Sequence, residues 1–234
     1  MTSLTARVAG ILRAPRSTYA ELAQGARPPV ADVLALTTLV QFLAMAVLFS
    51  TEVGRVALVD QWERTALAFG RVVDDAAYAR LQALSFNGVA YALLLAVLLG
   101  PVLAAMLAAV LQIVVRGPAG QALPFSRLLS LTAHAGVILA LRQVVSTPIN
   151  YVTETLTSPT TLGRFVSGFD ETSALARFAG TVDLFLVWWV VVLALGLAAV
   201  AGRPARRLAL TLTAVYVAVA LLLALGMVAT GGQL

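Results

Sequence analysis

A chain of 234 residues that is 60% hydrophobic and only 12% charged, with a mean hydropathy of +0.93, is too apolar for a soluble domain, where roughly a quarter of residues are charged. Its net charge of +5 comes from sixteen basic residues against eleven acids; every basic residue is arginine, which fits GC-rich codon usage, and no basic stripe with interleaved aromatics points to nucleic acid. The lack of cysteine excludes disulfides, thiolate metal sites and a cysteine nucleophile.

The expected fold is all-α and polytopic, with five transmembrane helices behind an N-terminal amphipathic interfacial helix. Residues 1–29 hold arginines but only a short apolar patch, Val8 to Leu12, with Pro15 behind it. No signal-peptide core is expected there, so the first long apolar run should insert and stay. Leu4, Val8, Ile11 and Leu12 recur at helical spacing opposite Arg7 and Arg13, which predicts a short helix lying in the interface. Beyond Pro15, Thr18 with Glu21 gives a capping-box pattern, and Gly25 with Pro28 and Pro29 closes a second short helix.

Spanning a hydrocarbon core of ~30 Å takes about 20 apolar residues, and five segments qualify: about 30–50, 84–115, 126–150, 183–202 and 207–229. The second, as one straight helix, would measure ~48 Å, and Gly100 and Pro101 sit in its middle. It is either one kinked helix or a hairpin of two short ones. Arginine placement decides, because cytoplasmic loops carry the excess of positive charge. With five spans and the N-terminus inside, the cytoplasmic segments hold Arg7, Arg13, Arg16, Arg27, Arg116, Arg127, Arg203, Arg206 and Arg207 against Glu21 and Asp32 alone. A hairpin would place Arg203, Arg206 and Arg207 outside, with halves too short to span. One helix, kinked where proline removes a donor, is therefore expected. Residues 1–29 then form a cytoplasmic segment and 30–234 a five-span membrane domain with external segments 51–83 and 151–182. The C-terminus is then expected to be external. Leu58, Trp62, Phe69 and Val73 continue a helical period through the first external segment; Ser158 and Pro159 break any long helix in the second.

Few polar residues stand inside the spans. His134 is the one histidine, so no multi-histidine metal site can form, and a neutral imidazole bonded to a neighbouring helix is expected. Arg142 lies about eight residues, ~12 Å by helix rise, from the outer end of the third span, where a charge needs a partner or a route to water. Asp183 opens the fourth span at the same face and is the candidate partner, as a structural intramembrane pair and an acid complementing the helix dipole. Trp188 and Trp189 follow five and six residues later, at the depth of an interfacial indole belt. Gly196 among Ala194, Ala198 and Ala199 offers a small-residue surface for close helix approach. No catalytic elbow, zinc-protease helix, phosphate loop or dinucleotide fingerprint is present, so no catalytic, cofactor or metal site is expected.

Four stretches, in order, carry a resemblance to the Yip family of integral membrane proteins, specifically its bacterial branch. ILRAPRSTYAEL at residues 11–22 resembles the family's short helix, proline and aromatic element before the first span. RGPAGQALPFSRLLSLTAHAGV at 116–137 is similar to its glycine-containing turn, phenylalanine and small, polar span opening. STPINYVTETLTSPTTLGRF at 146–165 is similar to its link between spans three and four. VDLFLVWWVVVLALGLA at 182–198 resembles its aspartate, phenylalanine, tryptophan and glycine pattern. The second tryptophan and His134 depart from that pattern. The resemblance implies a five-span protein without known catalytic activity. Eukaryotic relatives bind prenylated Rab GTPases, a partner that does not carry over to a bacterium-like chain. The expected function is a noncatalytic membrane scaffold or adaptor acting through a membrane-protein partner or a second copy of itself within the lipid bilayer. The alternatives are a transporter or accessory subunit of a transport or export complex, suggested by Arg142, His134 and the broken second span, and, least supported, an intramembrane enzyme.

If Arg142 and Asp183 pair, Asp183→Asn lowers the folded yield and Arg142→Gln in the same chain partly restores it, as read by the monodisperse fraction in detergent. Strictly additive losses would separate the two residues.

Overall fold

The computed structural model describes residues 3–25, 29–115, 120, 122–165 and 173–231. Helix α1 (Leu4–Arg13) starts where the Ser3 side chain accepts from the Ala6 N–H, and α2 (Pro15–Gln24) follows after Ala14, with proline in the first turn, where its missing N–H costs nothing. Thr18, expected as a helix cap, sits instead inside α2 and donates its hydroxyl to the Ala14 carbonyl. The helix does end at Gly25 as expected; Pro28 and Arg27 lie outside the described residues. The spans are α3 (Ala31–Ser50), the pair α6 (Gly88–Val97) and α7 (Leu103–Val114), α8 (Phe125–Thr153), α10 (Leu184–Ala201) and α11 (Ala205–Gly231). Five helical stretches are thus long and apolar enough to cross a membrane, and among the described residues there is no strand, only isolated bridge positions such as Thr161 with Asp183. The fold is all-α and polytopic.

The second span is a single helical run, and its irregularity is of a specific kind: Leu98–Val102 forms one π turn around Pro101. Proline lacks an N–H and crowds the carbonyl four residues back, and a wider turn absorbs both faults without ending the helix. The run starts at Gly88, later than the expected residue 84, because Leu84 still belongs to α5 (Asp75–Ser85). Between α3 and α6 the chain makes a helical hairpin of α4 (Glu52–Ala68) and α5, capped by Thr51 on Gly54 N–H and by Asp74 on Ala77 N–H. After α8 come a 3-10 turn (Leu162–Arg164) and α9 (Ala174–Thr181).

The chain divides into two compact units. One comprises Met1–Gln41, Leu95–Arg142 and Phe185–Val215; the other, Phe42–Leu94, Gln143–Leu184 and Tyr216–Leu234. In the first, Ile11, Tyr19, Leu128, Leu131, Ile138 and Leu197 are the bulk of a buried core. Tyr19 is its keystone, with 1% of its surface exposed. Its hydroxyl donates to the Leu131 carbonyl at 3.1 Å, and burial pushes the phenol well above its ordinary range, so it remains a donor. The ring fits because α10 has no side chain at Gly196: a Cβ there would stand 2.9 Å from both Tyr19 Cζ and Leu131 Cγ. The small-residue surface expected on α10 is therefore used, by a tyrosine arriving from α2. In the second unit α4 packs on α5, with Trp62 edge-on to Tyr91 at 5.3 Å, and α9 is fixed to α11 by a bond from the Arg177 guanidinium to the Met227 carbonyl.

Gly196→Val overfills this slot and should cost about 1–3 kcal/mol of stability. Gly136→Ala, where a Cβ meets nothing within 4 Å, should be neutral or stabilising by up to ~1 kcal/mol. Thermal unfolding in detergent checks both; equal effects would contradict the packing described.

Candidate functional site

The most concentrated polar chemistry in the first unit joins three helices. Arg7 of α1 is 5% exposed, which corrects its expected place on a water-facing side: it shares a face with Leu4 and Ile11, at helical spacing of three and four, and that face turns inward. Arg7 enters the core because partners wait there. One guanidinium nitrogen forms an ion pair with the Asp32 carboxylate at the start of α3. The other donates to Nε2 of His134 on α8 at 3.3 Å. The buried Nε has no acceptor among the described residues.

His134 is fully buried, and its neighbours define its state. Nδ1 lies 2.7 Å from the Ser130 carbonyl, which can only accept, and Nε2 faces a guanidinium, which can only donate. The neutral tautomer with its hydrogen on Nδ1 is the one that satisfies both. The contact from a neighbouring helix is made by Arg7 of α1. Ser130, one turn earlier, donates its hydroxyl to the Pro29 carbonyl at 3.0 Å, fixing the chain ahead of α3. The Asp32 side chain remains 44% exposed, so the network is sealed at the histidine and open at the carboxylate. With both imidazole nitrogens engaged and no third metal-ligating residue nearby among the described residues, the arrangement serves to clamp α1 and α3 onto α8. Sequence reasoning missed Arg7 because an arginine on an amphipathic helix was assigned to its polar side; the phase with Leu4 and Ile11 was the available signal.

A second polar cluster lies in the other unit. The Asp183 carboxylate, on a residue 2% exposed, accepts from Ser158 Oγ at 2.5 Å and from Thr160 Oγ1 at 3.0 Å. Its N–H donates to Tyr216 Oη, which itself donates to the Thr181 carbonyl. Backbone bonds from Leu162 N to Val182 O and from Leu184 N to Thr160 O tie the same two strips of chain together. Asp183 is thus an anchor joining the Ser-Pro-Thr link to the start of α10, and its hydroxyl partners were not foreseen, since serines and threonines in a link give no periodic signal. Arg142 falls in the first unit and Asp183 in the second; their pairing is kept as a proposal, tested by the double substitution above. Trp188 and Trp189 are both half-buried and pack on the core of the first unit, Trp188 with its ring centroid 5.8 Å from that of Phe185. Gly100 and Pro101 sit in the π turn, where a Cβ on Gly100 would come within 2.7 Å of Thr38 Oγ1.

Five apolar helical spans with inward-turned polar clusters define a multi-pass integral membrane protein. The Yip1 domain matches residues 9–227, nearly the whole chain, and the protein belongs to that family. No curated protein and no solved structure gives a significant match. Asp32, His134 and Asp183 lie within the matched stretch, whereas Arg7 precedes it.

Arg7→Met should destabilise the protein by about 1–3 kcal/mol, the usual loss for a charged hydrogen bond, reduced from the fully buried case because Asp32 reaches water. Asp32→Asn added to it should cost less than Asp32→Asn alone, with a coupling of at least ~0.5 kcal/mol by thermal unfolding. Additivity would dissolve the clamp.

Proposed function

We propose that this protein is a noncatalytic membrane scaffold or adaptor that acts through partner binding within the bilayer. The observation that carries the reading is the contrast between inside and outside in the first unit. Its buried polar side chains are spent on internal bonds, Arg7 to Asp32 and His134 and Thr37, Gln41 and Thr132 to backbone carbonyls, and the cavity beside the π turn, lined by Thr37, Gln41, Gly100, Thr132 and Trp189, has a volume of only about 10 Å³, room for about one water. Its outer surface, by contrast, is broad and apolar: Met106 is 60% and Ile113 73% exposed on α7, and Leu210 62% on α11. Lipid and the apolar face of a membrane partner, or of a second copy, are what such a surface accepts.

The membrane is inferred to be the cytoplasmic membrane of a bacterium, with the N-terminus inside and the C-terminus outside. Arginine placement supports this orientation, although Arg27 and Arg116 lie outside the described residues. Residues 1–29 then form a cytoplasmic collar, 51–83 and 151–182 are external, and Trp188 and Trp189 anchor at the outer interface. The transporter-subunit reading keeps one specific support, the π turn beside Thr37, Gln41 and Thr132, since such turns recur at functional sites; the size of that cavity weighs against a substrate path.

One experiment tests both orientation and partner. The chain has no cysteine, so Ser17→Cys on the exposed side of α2 is its sole thiol. The expected result is labelling by an impermeant maleimide in inverted vesicles and not in intact cells, and capture of a discrete membrane protein by a thiol-directed crosslinker in native membranes. A monodisperse species that crosslinks to nothing would remove the adaptor reading, and labelling in intact cells would reverse the topology.

A further inference from the structure

The α4–α5 hairpin has no slack at either end. Thr51 alone separates it from α3, and Phe86 and Asn87 alone separate it from α6. Because α3 and α6 belong to membrane spans, these links hold the hairpin at the polar boundary of the bilayer. Its surface has the matching character: Phe69 is 50%, Val72 80%, Leu84 54% and Phe86 77% exposed, an apolar set that favours acyl chains over water.

The hairpin also holds a cavity of about 500 Å³, walled by Trp62, Phe69, Val72 and Leu81 and lined as well by Arg71 and Arg80. That volume lies within the roughly 300–1,000 Å³ of small-molecule sites. Neither guanidinium has an ion pair among the described residues. The neighbouring Asp74 is engaged elsewhere, accepting from the Ala77 N–H at 2.7 Å to cap α5. An apolar cavity with two uncommitted guanidinium groups, held at a membrane boundary, fits a molecule with a hydrocarbon tail and an anionic phosphate head.

We propose that this cavity binds one anionic phospholipid from the surrounding bilayer, with an acyl chain between Trp62 and Leu81 and its phosphate on Arg71 and Arg80. The side chains divide the work. The apolar wall takes a chain that every phospholipid has, and the two arginines select the headgroup, because a choline cation offsets the phosphate charge of phosphatidylcholine whereas an anionic lipid presents that charge uncompensated.

The test uses the full chain in lipid nanodiscs, with Trp188→Phe and Trp189→Phe leaving Trp62 as the sole indole of the original three. Phosphatidylglycerol carrying bromine on its acyl chain is expected to quench Trp62 at a mole fraction on the order of tenfold lower than brominated phosphatidylcholine. Arg71→Gln with Arg80→Gln should abolish that preference, and Ala77→Phe, which fills space on the cavity lining, adds no indole and keeps both arginines, should abolish it too. Native mass spectrometry of the unaltered protein, retaining one phosphatidylglycerol, supplies the reading if a variant fails to fold. Equal quenching by the two lipids, a preference that survives either substitution, loss of the quenching on adding inorganic phosphate alone, or an unaltered chain that retains no lipid would each overturn the proposal.

Discussion

A guanidinium leaves water only when carboxylate and lone pair are already in place to receive it, and that requirement organises the N-terminal part of this protein. Arg7 reaches Asp32 on one side and His134 on the other, so three helices share one charge. The consequence extends beyond α1. Only Ala14 lies between α1 and α2, and with the first helix fixed the second has little freedom. Its Tyr19 then meets the Leu131 carbonyl and the bare backbone of Gly196. Ser130 gathers in the chain before α3 by the same economy, bonding Pro29 while its own carbonyl orients the histidine.

The four stretches that carry the family resemblance are scattered along the sequence but fall into two places. Tyr19 of the first, Leu131 and His134 of the second and Gly196 of the fourth belong to one buried core. Ser158 and Thr160 of the third meet Asp183 of the fourth in the other. Residues that looked unrelated by type are therefore matched by geometry: an aromatic ring needs a glycine, and a buried carboxylate needs hydroxyls. The Yip1 match from 9 to 227 embraces both places and leaves Arg7 just outside, so the clamp rests on the physics of this chain's own residues.

How much of this was written legibly in the sequence differs from one feature to the next. The spans were plain, because about twenty apolar residues in a row carry a signal that nothing else imitates, and Gly100 with Pro101 marked where the second would deform. The form of the deformation, a π turn, was hidden, since bend and bulge start from the same two residues. Thr18 was misread as a cap because Pro15 begins α2 three residues earlier. Arg7 was assigned to water by a rule of thumb about charge, although its spacing from Leu4 and Ile11 spoke against it. The partners of Asp183 could not be read at all, as they depend on a loop folding back over twenty residues.

That loop has a consequence for chain length. Backbone bonds between Leu162 and Val182 and between Leu184 and Thr160 close the chain on itself at Asp183, and whatever lies between the two strips starts and finishes at one fixed gate. Loop entropy grows only with the logarithm of length, so a change of length outside α9, which Arg177 holds to α11, should alter stability little. The bonds from Ser158 and Thr160 to Asp183 hold the two ends of this excursion together whatever its length.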